Sequence, residues 1–111
     1  MITILDDGKE LFYSDDRREW RQWLFENFER SNEVWFVFPT KDSGLKGISY
    51  NDAVEEALCF GWIDGRAGTL DGSHHIRRFT PRRNGSPISR PNIERLIWLD
   101  SKELIHPKIK P

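Results

Sequence analysis

The densest group of chemically capable residues is a set of arginines in the second half of the chain. Residues 77–95 hold six arginines against one acid, Glu94, a net charge of +5, whereas residues 1–30 hold five bases against eight acids, a net charge of −3. The arginine guanidinium group is planar and always charged, so it binds phosphate and carboxylate groups through paired hydrogen bonds. The set predicts an anion site, and its members are Arg77, Arg78, Arg82, Arg83, Arg90 and Arg95.

Two of these arginines stand in a predicted loop. Arg82 and Arg83 open the stretch 82–89, which is rich in Gly, Ser and Pro and leads into a helix expected to begin at Ser89. A helix N-terminus presents unpaired backbone N–H groups, which favour anions. We therefore predict a surface anion site at this loop. The alternative is that several arginines, Arg78 above all, form internal salt bridges, notably with Asp64 and Asp71.

Asp64 is the candidate general base. It follows an apolar run and precedes Gly65, a context that catalytic carboxylates share with ordinary Asp-Gly turns. On a strand, Trp62 and Asp64 share one face, so Asp64 is expected beside Trp62 and towards the strand that carries Arg78. No second carboxylate or histidine stands at a fixed spacing, which favours a structural Asp-to-Arg pair over a general base. Trp62, Asp64 and the following Arg66 are therefore predicted as binding residues, not catalytic ones.

The histidines and glycines point to neither a metal nor a cofactor. His74 and His75 are adjacent, so on a strand their side chains point to opposite faces. No spaced set of Cys, His and carboxylate residues completes a tetrahedral metal site. The glycines do not fit the spacing of a phosphate-binding loop. We expect no metal site and no bound cofactor.

Length and composition indicate one small domain spanning residues 1–111. A chain of 111 residues buries one core but not two. Its net charge of −1 excludes a globally basic nucleic-acid binder and allows a local basic patch. The single cysteine, Cys59, excludes a disulfide within the chain. No apolar run is long enough to span a bilayer, and the start lacks the features of a signal peptide. We expect a cytoplasmic protein with no membrane insertion.

Three helices are expected from capping signals and apolar periodicity. The first opens at Ser14 and runs to about Arg30, with an aromatic stripe facing the core. The second follows Ser49, with Asp52 placed to close a box-like cap. The third begins at Ser89 and ends near residue 100, after which the tail lies over the surface or frays.

Strands are expected at 34–38, 59–64 and 74–80, with two further short strands at 2–5 and 11–13. The run at 34–38 is almost continuously apolar, which is typical of a strand buried on both faces. The strand at 59–64 is expected to close in the Asp64-Gly65 turn. The predicted fold class is α+β: a small antiparallel sheet covered by about three helices in a single domain.

One family matches these motifs. The run Glu-Glu-Ala-Leu-Cys-Phe-Gly-Trp-Ile-Asp-Gly at 55–65 and the run Arg-Phe-Thr-Pro-Arg-Arg at 78–83 resemble the YdeI/OmpD-associated family, also called bacteriocin-protection proteins. The resemblance covers roughly residues 20–107. It implies a small bacterial cytoplasmic protein whose molecular activity is not established. Members commonly continue into a second, helical, basic half, and this chain stops at Pro111. Any activity of that half is expected to be absent. Further matches are Ser86, Ser89, Asn92, the Val34-Trp35 strand and the helix start at Tyr50.

Three functions compete. The first is a non-enzymatic binding module that engages a protein partner or a small anionic ligand. The second is a nucleic-acid binder, in which arginines track phosphates and exposed aromatics stack on bases; the acidic balance of the chain weakens it. The third is an enzyme acting on a small anionic substrate, with Asp64 as base and Arg82 or Arg83 as clamp, and it has the least support. The predicted binding residues are Trp62, Asp64, Arg66, Arg78, Arg82 and Arg83.

Overall fold

The computed structural model describes residues 2–109, so residues 1, 110 and 111 of the expected domain lie outside it. The described residues form one α+β domain with five strands and three helices, which confirms the predicted fold class. No helix in this part of the chain is long and apolar enough to cross a membrane. The elements in chain order are β1 (Ile2–Ile4), β2 (Glu10–Phe12), α1 (Arg17–Asn27), β3 (Val34–Pro39), a short 3-10 turn (Lys41–Ser43), α2 (Tyr50–Cys59), β4 (Trp62–Asp71), β5 (His74–Pro81) and α3 (Arg90–Ser101).

The sheet is mixed: the three strands predicted to form an antiparallel sheet do pair antiparallel, and the departure from the prediction is the parallel pair of β2 with β3. Its strand order is β1-β2-β3-β5-β4. Strands β2 and β3 pair in parallel, and the other neighbours pair antiparallel. The parallel pair arises because helix α1 lies between β2 and β3 in the chain, and such a crossover returns the second strand in the same direction.

The strand predicted at 59–64 begins and ends at other residues in the structure. Cys59 and Phe60 end helix α2, where both are buried, and Gly61 makes the turn with a φ of 74°. Strand β4 then begins at Trp62 and continues through Gly65 to Asp71, so the turn expected at Asp64-Gly65 is wrong. The register against β5 shifts between Asp64 and Ala67, which shows that the Asp-Gly signal produces a bulge and not a reversal.

Each helix begins at the residue directly after its capping side chain. Ser49 and Ser89 cap α2 and α3, because their hydroxyl oxygens accept from the backbone N–H groups of Asp52 at 3.1 Å and Asn92 at 3.4 Å. Helix α1 is capped by Asp16, two residues after the predicted Ser14, and ends at Asn27. Asp16 replaces Ser14 because the Ser14 hydroxyl accepts from the N–H of Asp16 at 3.0 Å and so forms the turn before the helix.

The core lies between the three helices and one face of the sheet. Trp20 of α1 is fully buried, and its Nε1 donates to the carbonyl of Ala53 in α2 at 3.0 Å, which ties the two helices together. The opposite face of the sheet carries a smaller cluster to which no helix contributes: Leu11, Trp35, Val37 and Ile76. Strand β3 therefore contributes to buried clusters on both faces, as its continuous apolar sequence predicts. The principal members of the main core are Phe12, Trp20, Leu24, Val34, Phe36, Ala53, Val54, Trp62, Phe79 and Leu99.

Candidate functional site

A groove of about 490 Å³ lies between α2, the start of β4, the loop 82–89 and the start of α3. Its volume falls within the range of small-ligand sites, roughly 300–1,000 Å³. Apolar side chains form its walls: Leu58, Ile63, Pro87, Ile88, Pro91 and Leu96. The polar residues that line it are Tyr50, Asp64, Arg82, Ser89, Asn92 and Arg95.

The Asp64 carboxylate is held through one of its two oxygens, Oδ2. The hydroxyl of Tyr50 donates to Asp64 Oδ2 at 2.6 Å, and Arg77 Nη1 donates to the same oxygen at 3.1 Å. The guanidinium of Arg77 also stacks over the Tyr50 ring, 5.0 Å from its centroid. Burial, together with the hydrogen bond to Asp64, raises the pKa of Tyr50, so its hydroxyl remains a donor at neutral pH. Asp64 Oδ1 has no hydrogen-bond partner within residues 2–109.

Arg82 lines the groove with part of its guanidinium unsatisfied. Its backbone N–H donates to the carbonyl of Gly61 at 2.9 Å, and its Nη2 donates to the carbonyl of Ser86. Its Nε is buried and has no partner in the described part of the chain. A buried donor without a partner costs about 1–3 kcal/mol, so such a group in a native protein calls for an explanation.

Arg95 is held by neutral groups. Its Nε donates to Asn51 Oδ1 at 3.1 Å, and its Nη1 donates to Asn92 Oδ1 at 3.0 Å. The two asparagines orient the guanidinium without cancelling its charge. Because Arg77 neutralises Asp64, the groove retains the positive charges of Arg82 and Arg95, and neither contacts a carboxylate among residues 2–109.

Residues 12–110 match the family described as Domain of unknown function (DUF8412). The chain belongs to this family. No curated protein and no solved structure matches it. The DUF8412 region contains all the groove residues and assigns none of them a role. The resemblance to the YdeI/OmpD-associated family remains a prediction.

Within the DUF8412 domain, Asp64 and Arg82 are the two predicted site residues that share the groove. Arg83 is exposed and lines a second depression of about 480 Å³ on the other side of the loop, together with Arg78. Arg82 and Arg83 therefore line different depressions and do not form one site. Arg66 is exposed on the edge strand β4.

Trp62 belongs to the core. It is 1% exposed, and its Nε1 donates to the carbonyl of Phe28 at 3.2 Å. A ligand at the surface does not reach this indole in the folded domain, so Trp62 acts through the packing that supports the start of β4.

Asp64 forms the predicted structural pair with an arginine of β5, but its partner is Arg77 and not Arg78. Asp64 lies opposite Phe79 in the β4–β5 register, and Arg77 shares the face of Phe79 because it stands two residues away. Arg78 therefore lies on the other face, where its Nε donates to Glu33. Asp71, also predicted to pair with an arginine, instead contacts His74, with 2.8 Å between Oδ1 and Nδ1.

The predicted binding residues leave out four that build the site: Tyr50, Asn92 and Arg95 line the groove, and Arg77 holds Asp64. Arg77 and Arg95 belong only to the wider arginine set. Arg77 was detectable, because alternation along β5 places it on the same face as the apolar Phe79. Asn92 and Arg95 stand three residues apart and so meet on one helix face, which is also a readable signal. Tyr50 fitted the apolar stripe of α2, and nothing local indicates that its hydroxyl reaches Asp64.

The described residues contain no cluster of three or more His, Cys, Asp or Glu side chains that could hold a metal ion. Cys59 is fully buried, and this burial raises the pKa of its thiol. Since the thiolate is the metal-binding and nucleophilic form, the environment of Cys59 favours a packing role.

Proposed function

We propose that the protein is a non-enzymatic, cytoplasmic binding module of the YdeI/OmpD-associated type that holds a small anionic ligand in the groove between α2, β4 and α3. One observation carries the proposal. Arg82 and Arg95 line the groove, neither contacts a carboxylate within residues 2–109, and the buried Nε of Arg82 has no partner there.

The surroundings of the two arginines suit an anion. Hydrogen bonds from a charged donor to a charged acceptor are roughly twice as strong as neutral ones. The apolar walls exclude water from part of the groove, which strengthens such contacts. The N-terminus of α3 borders the groove at Ser89 and Asn92, and its helix dipole also favours negative charge.

The contacts of Asp64 favour binding over catalysis. A general base works with partner groups that complete the proton transfer, in a geometry set by the proton that it removes. Oδ2 of Asp64 already accepts from both Tyr50 and Arg77, which makes this carboxylate the fixed partner of an ion pair. No second carboxylate and no histidine lies among the polar lining residues, which are otherwise Tyr, Ser, Asn and Arg.

The nucleic-acid alternative predicts a single basic face, and the arginines are dispersed instead. Arg77 and Arg78 lie on opposite faces of β5, and each contacts a carboxylate. We therefore expect a 20-nucleotide single-stranded or double-stranded DNA to bind no more tightly than about 10 μM at physiological salt, within the range of non-specific contacts. Fluorescence anisotropy measures this directly. Sub-micromolar affinity that falls steeply with salt would reverse our ranking of the two functions.

The proposal is tested by removing both groove charges. We expect the double variant Arg82→Gln and Arg95→Gln to bind inorganic phosphate and 4-methylpentanoate at least about tenfold more weakly than the wild type, since a hydrogen bond to a charged group contributes about 1.5–3 kcal/mol. Isothermal titration calorimetry gives the affinities, and amide chemical shifts in NMR titrations locate the site. The wild type should shift resonances in loop 82–89 and at the start of α3.

A matched control makes the same charge change elsewhere. The double variant Arg66→Gln and Arg83→Gln removes two exposed arginines outside the groove. This control should bind both probes as the wild type does, and melting curves should show that both double variants are folded. Equal losses in the two double variants would mean that binding follows overall charge, and the groove would then not be the site.

A further inference from the structure

We propose that the ligand of this groove is an α-carboxylate with an N–H group on the neighbouring carbon and an apolar side chain. Free amino acids and the carboxyl-terminal residues of peptides share this chemistry. The inference rests on the proposed anion-binding function and adds the identity of the groups beside the anion.

The first argument is the half-used carboxylate of Asp64. Both donors that hold it, Tyr50 and Arg77, bond to Oδ2, and Oδ1 has no partner within residues 2–109. Asp64 lines the same groove as Arg82 and Arg95, and its side chain is 13% exposed. Among residues 2–109, the buried side-chain atoms without a partner do not include Oδ1, so this oxygen is accessible to solvent and accepts from an N–H group that a ligand brings in place of water.

The second argument is that the guanidinium donors of Arg82 and Arg95 and the carboxylate acceptor of Asp64 lie within one small groove. Guanidinium groups suit a carboxylate, and a free carboxylate oxygen suits an N–H donor. An anion without a donor, such as the carboxylate ion of a simple fatty acid, satisfies Arg82 and Arg95 and leaves Asp64 Oδ1 unmatched. A ligand with a carboxylate and a nearby N–H satisfies the two arginines and also Asp64 Oδ1.

The third argument is the apolar remainder of the lining. Leu58, Ile63 and Leu96 come from α2, β4 and α3, and loop 82–89 adds Pro87 and Ile88. These surfaces offer hydrophobic contact to an aliphatic side chain. They offer little to a highly hydrated anion such as phosphate, so a branched aliphatic residue is the best match for the whole lining.

The experiment compares leucine, N-acetyl-leucine and 4-methylpentanoate by calorimetry on the full chain. All three carry the same carboxylate and branched carbon skeleton, and 4-methylpentanoate lacks the nitrogen. We expect at least one of the two leucine compounds to bind about tenfold or more tightly than 4-methylpentanoate, because a site built to pair with a donor rejects analogues that lack it. Tighter binding of leucine assigns the site to free amino acids, and tighter binding of N-acetyl-leucine assigns it to peptide ends.

The variant Asp64→Asn tests the assigned contact. Its amide oxygen can keep the bonds from Tyr50 and Arg77, which places the amide nitrogen, a donor, where Oδ1 was. The preference for the leucine compounds over 4-methylpentanoate should then fall below about threefold, even though the loss of the Asp64 charge changes the affinity of the groove for every anion. A purely structural role of Asp64 would weaken all three ligands equally and leave this ratio unchanged, which would overturn the inference.

If the Asp64→Asn variant fails to fold, the ratio of the wild-type affinities for the leucine compounds and for 4-methylpentanoate still tests the inference. If 4-methylpentanoate binds as tightly as both leucine compounds, the inference is wrong and the anion-binding function stands. If none of the carboxylates and no phosphate binds, the proposed function itself fails.

Discussion

Trp62→Ala is expected to lower the free energy of unfolding by about 3–5 kcal/mol, the cost typical of truncating a core aromatic to alanine. The indole of Trp62 is 1% exposed and packs edge-on against Trp23, with 5.7 Å between ring centroids. Truncation also removes the donor to the carbonyl of Phe28. For a domain of this size, a loss of this magnitude lowers the melting temperature by more than about 10 °C. Urea and thermal unfolding followed by circular dichroism measure both quantities.

Trp98→Ala is the matched control. Trp98 lies on α3 and is 47% exposed, so the same chemical change removes far less buried surface. Its cost should stay below about 1 kcal/mol, as for most surface substitutions. If the two variants melt within about two degrees of each other, the packing of Trp62 does not stabilise the domain as expected, and a role for its ring in binding becomes the better explanation.

The sequence indicates helix starts well because capping is local. Ser49 and Ser89 were predicted as caps from three or four consecutive residues, and the structure forms those hydrogen bonds. The end of α2 was not predictable in this way. Cys59 and Phe60 suit the end of a helix and the start of a strand equally, and the choice depends on packing against residues far along the chain. One such contact is the bond from the N–H of His106 to the carbonyl of Cys59 at 2.9 Å.

The candidate site was partly readable from composition. The arginine window contains Arg82 and Arg95, which line the groove, and Asp64 was singled out by its position between an apolar run and Gly65. Their assembly depends on contacts across the chain, such as Tyr50 with Asp64 and Asn51 with Arg95, which are 14 and 44 residues apart. Whether an arginine is neutralised is decided by such contacts, so the sequence could not separate Arg78, which contacts Glu33, from Arg95, whose hydrogen bonds within residues 2–109 go to the amides of Asn51 and Asn92.

Glu56 is the centre of an ion-pair network between α1 and α2. Arg17 Nε donates to its Oε2 at 2.6 Å, and Arg21 Nη1 donates to its Oε1 at 2.9 Å. The side chain of Glu56 is only 10% exposed, so both of its oxygens depend on these two arginines. Arg21 also donates to the carbonyl of Leu104 at 2.8 Å, which ties the segment after α3 to the same network.

Glu56→Ala should therefore destabilise the domain by about 2–3 kcal/mol. Breaking a fully buried ion pair costs about 3–5 kcal/mol, and the smaller value reflects the partial exposure of both arginines. The variant leaves Arg17 with Asp52 and Glu55, so Arg21 loses its only carboxylate among residues 2–109. Chemical denaturation should report the loss, and amide hydrogen exchange should show faster opening of the segment at 102–109.

The comparison that decides the role of Glu56 is Glu29→Ala, which removes a carboxylate from an exposed pair. Glu29 contacts Lys108 at 3.0 Å with side chains 58% and 63% exposed, so its loss should cost less than about 1 kcal/mol and diminish further at high salt. A double-mutant cycle of Glu56→Ala with Arg21→Met should then show coupling of at least about 0.5 kcal/mol, as expected for residues in direct contact. Additive effects in that cycle would mean that the pair with Arg21 does not stabilise the domain, and Arg17 would then be the partner through which Glu56 joins the two helices.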